Sequence, residues 1–344
     1  MQVARAGIIG ASGYSGIELT RIVTRHPGLS LSFVTSDRWV GQTIAAKTRI
    51  VSEQSYVTVD QGLEAAAGCD VVFLATPAES SLELAPKLLA KGVKVVDLAG
   101  SFRLTELSHY PRYYRFEHTA PALLKQAVYG LTEWFRADVK TASFVANPGC
   151  YATAVAMAVA PLVRSKLVDP TSVVVSAASG VSGAGRKATE DYGFMEIDGD
   201  FRAYRTLNHQ HLPEMRQTLS RIGETDVPLV FTPHLLPMKR GILATAVAKL
   251  SPGINAARVT QAFADAYSRE ALVTLLPSAD AVRVADVART PRCLIGASVD
   301  ATHVVVVSAI DNLLKGAASQ AMQNMNVMLG FAETTGLDAS QGPG

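Results

Sequence analysis

Short β-branched runs and helix-like stretches alternate along the first part of the chain. Residues 3–9 predict a strand, 13–25 a helix, 29–35 and 70–75 strands, 82–91 a helix and 93–98 a further strand. The strands are apolar on both faces and separated by helices, the pattern of a parallel sheet covered on both sides. After about Asn147 the texture changes. An alanine-rich helix at 150–164 precedes strand-like runs at 172–178, 229–232, 242–250, 294–299 and 303–310. Runs of strands with few intervening helices predict an antiparallel or mixed sheet, hence an α+β second domain. Polar loops at 180–187 and 208–214 lie between them, where site residues tend to sit. A last long helix spans about 312–329 and leads into a Gly/Ser/Gln tail expected to be disordered.

Composition narrows the function classes. A length of 344 residues fits about two domains of roughly 150 residues. An apolar fraction of 48% with a net charge of +2 excludes disorder as the dominant state. Near-neutral balance without a Lys/Arg run leaves no footprint for nucleic acid, so a site for an anionic ligand has to be built from a few placed cations. Cys69, Cys150 and Cys293 form no pairing framework, which fits a reducing compartment. Residues 1–16 carry glycine where an export signal needs a continuous apolar core. The longest apolar run, 150–163, is interrupted by Pro161 and falls short of the ~20 residues of a membrane span. The chain therefore reads as soluble, and as cytoplasmic or as organellar after loss of a leader.

The candidate chemistry begins directly after the first strand. Gly10-Ala11-Ser12-Gly13-Tyr14-Ser15-Gly16 opens into a helix, a glycine spacing that allows a tight turn and close approach of backbone N–H groups to a pyrophosphate. The first domain is thus expected to be of the Rossmann type. Its second strand ends in Ser36-Asp37-Arg38. The hydroxyl and guanidinium suit a 2′-phosphate and favour NADP, while Asp37 can itself accept from a ribose hydroxyl and keeps NAD open.

Cys150 follows Asn147-Pro148-Gly149 and begins a helix, where the dipole favours the reactive thiolate. Cys69 and Cys293 lie in strand-like runs and read as packing. The segment Asn208-His209-Gln210-His211-Leu212-Pro213-Glu214 reads as extended, with two histidines on one side and a carboxylate close behind. A histidine near a cysteine can hold it as thiolate and move protons. The HxH spacing also suits zinc, but no third ligand is close in sequence, and no metal is expected. His234 reads as a structural hydrogen-bonder. Arg103, Arg186 and Arg240 lie in glycine-containing loops and are the cations available to an anionic substrate.

GASGYSGIEL, DLAGSFRL, NPGCYAT, SGVSGAGR, NHQHLPE, FTPHLLPMKRG and DNLLKGAASQAMQNMN occur in this order between residue 7 and about residue 326. Together they resemble the N-acetyl-γ-glutamyl-phosphate reductases of the short, single-function type, within the semialdehyde dehydrogenase superfamily. The resemblance implies reduction of N-acetyl-L-glutamyl 5-phosphate by NADPH, in arginine biosynthesis, through a thioester on Cys150. It implies His209 as acid/base with Glu214 supporting it and His211 in reserve. Cofactor contacts are implied for Gly10, Ser12, Gly13, Tyr14, Ser15, Gly16, Ser36, Arg38, Pro77, Ser182, Gly183 and Asn312. Substrate contacts are implied for Arg103, Asn147, Arg186 and Arg240.

Since Asn312 matches a position beside the nicotinamide, the resemblance makes the first domain discontinuous. It would comprise 1–149 plus about 312–332, around a catalytic and oligomerisation domain at 150–311, with a flexible tail at 333–344. A homodimer or homotetramer is implied, with no nucleic-acid or membrane partner. Rival readings are aspartate-semialdehyde dehydrogenase, a carrier-protein-linked aminoadipyl/glutamyl phosphate reductase, and a dinucleotide-sensing regulator that would need no thiol.

Overall fold

The computed structural model describes residues 3–186 and 190–337, and the chain divides into two compact units. One runs up to Pro148 and resumes at Ala317; the other is Gly149–Gly316. The chain returns to the first unit at Ala317 rather than at Asn312, because the Asn312 side chain is tied into the second. Its Oδ1 accepts the Gly241 N–H (2.7 Å) and its Nδ2 donates to the Ser182 hydroxyl (3.0 Å).

In the first unit β1 (Ala4–Ile9), β2 (Leu29–Thr35), β3 (Tyr56–Val57), β4 (Val71–Leu74), β5 (Lys94–Asp97), β6 (Val128–Tyr129) and β7 (Phe144–Ala146) form one sheet in the order β3-β2-β1-β4-β5-β7-β6. Every pairing in it is parallel. Helices α1 (Tyr14–Val23), α2 (Val59–Ala66), α3 (Ala78–Leu89) and α4 (Thr132–Thr141) pack with it, joined by the C-terminal helix Ser319–Leu329. Coverage of both faces explains why β4 is buried along its whole length. The strand order reverses between β1 and β4, so a crevice opens beyond their C-terminal ends. The weaker segments α2, α4 and β6 are not legible in the hydrophobic pattern.

The C-terminal helix is keyed into this unit by polar side chains, with Gln320, Gln323, Asn324 and Asn326 all buried. Asn324 donates to the Gly130 carbonyl (2.7 Å) and to Asn147 Oδ1 (3.0 Å), and accepts from the Thr132 hydroxyl (2.7 Å). The tail expected to be flexible over 333–344 is pinned at its start, since Asn326 donates to the Glu333 and Thr335 carbonyls and Leu337 is buried. Residues 338–344 lie outside the described residues.

The second unit holds β8 (Val174–Gly180), β9 (Arg202–Ala203), β10 (Val230–Leu236), β11 (Ile242–Lys249), β12 (Val273–Leu276), β13 (Cys293–Val299) and β14 (His303–Ile310). They form a mixed sheet in the order β12-β13-β14-β11-β8-β10-β9, with only the β8–β10 and β12–β13 pairs parallel. Helices α5 (Cys150–Arg164), α6 (Leu212–Gly223) and α7 (Ala256–Tyr267) pack together beneath it. Helix α5 is buried on all sides from Tyr151 to Val163, as an apolar helix without a polar face must be, and its alanines permit close packing. Burial alternates along β8, β10 and β11, leaving the opposite face partly open with Val174 and Val230 exposed. Among the described residues no helix is long and apolar enough to cross a membrane.

Asn324→Ala should lower the unfolding free energy by about 2–3 kcal/mol, because it strands buried partners rather than removing one bond. The urea midpoint reads this; an unchanged midpoint would contradict the assignment of Asn324 as the key of the C-terminal helix.

Candidate active site

At the crevice of the first unit, Gly10 adopts φ +88°, and a Cβ there would stand 2.5 Å from the Ala75 carbonyl oxygen. A Cβ on Gly16 would meet the Gly10 carbonyl at 2.4 Å, whereas one on Gly13 would meet nothing closer than 3.6 Å. Two glycines therefore serve turn and packing, and the third leaves open space at the start of α1. Gly13 caps α1 without a side-chain hydrogen bond, and no acid occupies the first turn. The helix N–H groups there are suited to a diphosphate. Ser12 and Ser15 are half-buried beside this space and Tyr14 is exposed. Pro77 caps α3 just beyond Ala75.

Ser36 is buried, its hydroxyl accepting the N–H groups of Arg38 (3.2 Å) and Trp39 (3.1 Å). It shapes the turn after β2, from which Asp37 and Arg38 extend exposed. These residues fit a dinucleotide, with Arg38 available to a 2′-phosphate.

In the second unit Cys150 is half-buried as the first residue of α5. The segment before Glu214 is not extended. The Leu212 N–H donates to the His209 carbonyl (2.9 Å), and α6 begins with Pro213 in its first turn. Proline's missing N–H costs nothing there, and Glu214 complements the helix dipole. The turn brings both histidines and Glu214 to the start of α5. Glu214 is fully buried and its Oε1 accepts the Gly149 N–H at 2.8 Å. The His211 ring lies against Gly149, where an added Cβ would meet Nε2 at 2.4 Å. Gly316 approaches from another segment, and its Cβ would stand 2.7 Å from the Cys150 Cβ.

His209 is enclosed by the rings of Tyr151, Tyr204 and Phe231, with centroids 5.3, 5.6 and 5.7 Å away. Its Nδ1 accepts the His211 backbone N–H (3.1 Å), so the neutral ring carries its proton on Nε2. Burial, with Arg205 adding to it, depresses its pKa to about 3. Among the described residues no cluster of three metal-ligand side chains includes either histidine. Tyr204 donates to the Tyr151 hydroxyl (3.2 Å), which donates to the His234 carbonyl (3.1 Å). Burial and then the nearby Cys150 charge push Tyr204 up to about 12, and Tyr151 is raised as well.

The cations differ from their expected availability. Arg103 is buried, its Nε and Nη2 donating to the carbonyls of Asn147 (2.7 Å) and Leu98 (2.6 Å). Burial lifts the neighbouring Asp97 carboxyl to about 6, while Ser81, the Ala99 N–H and Arg103 stabilise its charge. The Asn147 side chain is fully buried and engaged with Asn324 and the Ala317 carbonyl. Arg240 is paired at 3.0 Å with Asp311, a buried carboxylate that also accepts the N–H groups of Arg289, Leu313 and Leu314. Arg186 is half-buried after the turn that carries Ser182 and Gly183; its neighbour Lys187 lies outside the described residues. Ser182, Gly183 and Asn312 do come together, the Asn312 amide lying 3.0 Å from Ser182 Oγ. Of the other cysteines, Cys293 is buried and Cys69 half-buried, with burial raising its pKa. Tyr151, Asp311 and Gly316 lie inside quoted motifs that assign them no role, and Tyr204 lies in none of them.

Two family models match the chain: the semialdehyde dehydrogenase NAD binding domain over residues 5–142 and the semialdehyde dehydrogenase dimerisation domain over residues 150–312. Proteins named N-acetyl-gamma-glutamyl-phosphate reductase from Magnetococcus marinus and Symbiobacterium thermophilum are 43% and 42% identical, with 97% of each chain covered. The chain belongs to the N-acetyl-γ-glutamyl-phosphate reductase family. The chain also shares its fold with aspartate semialdehyde dehydrogenase II of Vibrio cholerae, solved with ASA (TM-score 0.73, 18% identity, 96% of this chain and 99% of that one). The Candida albicans aspartate semialdehyde dehydrogenase with NADP is similar too (TM-score 0.67, 15% identity, 95% and 98%).

His209 yields a prediction with a definite sign. Below its ordinary pKa of 6.5 the unfolded chain binds a proton that the folded chain, with a value of about 3, does not. This contribution is complete above pH 6.5 and falls by about 1.4 kcal/mol per pH unit on acidification towards 3. Between about pH 7.5 and about pH 5, His209→Gln should therefore lose about 2 kcal/mol less stability than wild type in urea unfolding. Equal losses would mean that His209 is not held neutral.

Proposed function

We propose that the chain catalyses the NADPH-dependent reduction of N-acetyl-L-glutamyl 5-phosphate to N-acetyl-L-glutamate 5-semialdehyde and phosphate, a step of arginine biosynthesis. Near-full-length identity of 40–43% to reductases of that name carries this reading. The Cys150 thiolate attacks the acyl carbonyl, the bond to the phosphate oxygen breaks, and a thioester remains on sulfur. The reduced nicotinamide, when bound, supplies hydride to that carbonyl. The thiohemiacetal oxyanion so formed would collapse to aldehyde, its C–S bond breaking to return the thiolate.

The unit's own groups support each step. The start of α5 favours a thiolate, and its first-turn N–H groups have no side-chain cap. Glu214 fixes the Gly149 N–H and with it the direction from which the thiol is presented. His211 is favoured over His209 for proton transfer because its Nε2 lies against Gly149, beside Cys150, whereas His209 is walled in by aromatic rings and holds the His211 backbone. Arg103 and Asn147 act by fixing the end of β7, and Arg240 by fixing Asp311 and the start of the Asn312 segment. Arg186, in the glycine-containing loop that follows Ser182 and Gly183, is the proposed substrate cation. Gly10–Gly16 with Pro77 take the diphosphate, Arg38 at the Ser36 turn the 2′-phosphate, and Ser182, Gly183 and Asn312 the nicotinamide end.

The dimerisation-domain match, with the partly open sheet face bearing Val174 and Val230, supports a homodimer or homotetramer formed through that sheet. A cytoplasmic setting belongs to the same reading. Supplied with NADP+ and inorganic phosphate, the enzyme should oxidise N-acetyl-L-glutamate semialdehyde with kcat/KM at least about a hundredfold above that for aspartate semialdehyde. Preference for the aspartyl compound would sink the assignment.

A further inference from the structure

Asp97 closes β5 with its side chain fully buried and only half satisfied. Its Oδ1 accepts the Ala99 N–H (2.9 Å), whereas Oδ2 makes no hydrogen bond among the described residues. The groups that face it are the buried Ser81 hydroxyl on α3, the Ala99 N–H and the Arg103 guanidinium. A carboxylate in such a place is costly unless an opposite charge lies close. The motif DLAGSFRL contains Asp97 without giving it a role.

Asp97 and Arg103 grip one residue from two sides. The Asp97 carbonyl accepts the Asn147 N–H (2.8 Å), and the Arg103 Nε–H donates to the Asn147 carbonyl (2.7 Å). The Arg103 Nη2 donates to the Leu98 carbonyl (2.6 Å), so a single guanidinium ties the end of β5 to the end of β7. Both of these acceptors are neutral, and the charge that faces the guanidinium is that of Asp97. We propose that Asp97 is a positioning residue: as a carboxylate it holds Arg103 on the Leu98 and Asn147 carbonyls, and through Asn147 it steadies the stretch that presents Cys150. The proposal rests on the reaction given above. Only Pro148, whose ring fixes φ, and Gly149 separate Asn147 from Cys150 in the chain, so a loosened Asn147 has little slack in which to be absorbed. Because burial lifts the Asp97 carboxyl to about 6, the holding charge is lost not far below neutral pH.

Asp97→Asn keeps the shape and the acceptor for Ala99 while removing the charge. In the phosphate-dependent oxidation of N-acetyl-L-glutamate semialdehyde by NADP+, its kcat should be about a tenth of the wild-type value at about pH 8, with KM for NADP+ unchanged. The ratio of the two rates cancels every ionisation they share, and it should close to near unity by about pH 5, where Asp97 is itself protonated. Ser81→Ala removes a group that favours the carboxylate, so its kcat relative to wild type should be near unity at about pH 8 and dip to about half near about pH 6. This second variant decides the matter alone if Asp97→Asn does not fold. An Asp97→Asn rate equal to wild type at about pH 8, a rate ratio that is the same at every pH, or a flat Ser81→Ala ratio would overturn the proposal. Wild type inert towards N-acetyl-L-glutamate semialdehyde would overturn the proposed reaction instead, and the same ratios, read from carboxymethylation of Cys150 by iodoacetamide, would still decide the role of Asp97.

Discussion

The hydrogen bond from the Gly149 N–H to Glu214 Oε1 joins the starts of two helices, α5 and α6, inside the second unit. A buried carboxylate without a donor is costly, and a buried helix start without an acceptor is costly as well; each relieves the other. The bond fixes the orientation of α5, whose first residue is Cys150, and seats α6 so that His211 lies on Gly149. Nothing larger than glycine fits at 149, because the His211 ring occupies the space a Cβ would take. The half-buried thiol, the imidazole and the dipole end of α5 are thus consequences of one contact between a fully buried acid and a backbone amide.

Around that contact the charges are arranged sparingly, as a chain with 32 basic and 30 acidic residues requires. Arg240 and Asp311 form a pair in which the carboxylate also gathers three backbone N–H groups, holding together the turns that carry Gly241, Arg289 and Asn312. A pair so fully hydrogen-bonded around a buried carboxylate acts through geometry: removing Arg240 would leave Asp311 buried and uncompensated. In the first unit Arg103 does the same for the end of β7, with carbonyls as its partners. Two of the three arginines that sequence position offered to substrate therefore build the scaffold.

What was legible in the sequence follows from how local each cause is. Gly10 and Gly16 announce the phosphate loop because backbone conformation and close packing there exclude a side chain, a requirement written at the residue itself. The span of α5 is legible for the same reason, since its fifteen residues are mostly apolar, broken chiefly by Thr153 and the terminal Arg164, and begin after Pro148-Gly149. The His209–Glu214 segment misleads because alternating histidines imitate strand spacing, although Pro213 and Glu214 carry the marks of a first helical turn. Arg103 and Arg240 mislead because their partners lie 44 and 71 residues away. Tyr204 gave no signal at all, since it follows β9, a strand of two residues that is too short to show a period.

The central claim is that the acyl group passes through sulfur at the start of α5, and this is open to direct measurement. Enzyme mixed with N-acetyl-L-glutamyl 5-phosphate and no NADPH should release a burst of phosphate stoichiometric with subunits. The peptide containing Cys150 should then carry the N-acetylglutamyl mass, and Cys150→Ser should show neither. Phosphate released only when NADPH is present, or an acyl mass on any residue other than Cys150, would contradict the account.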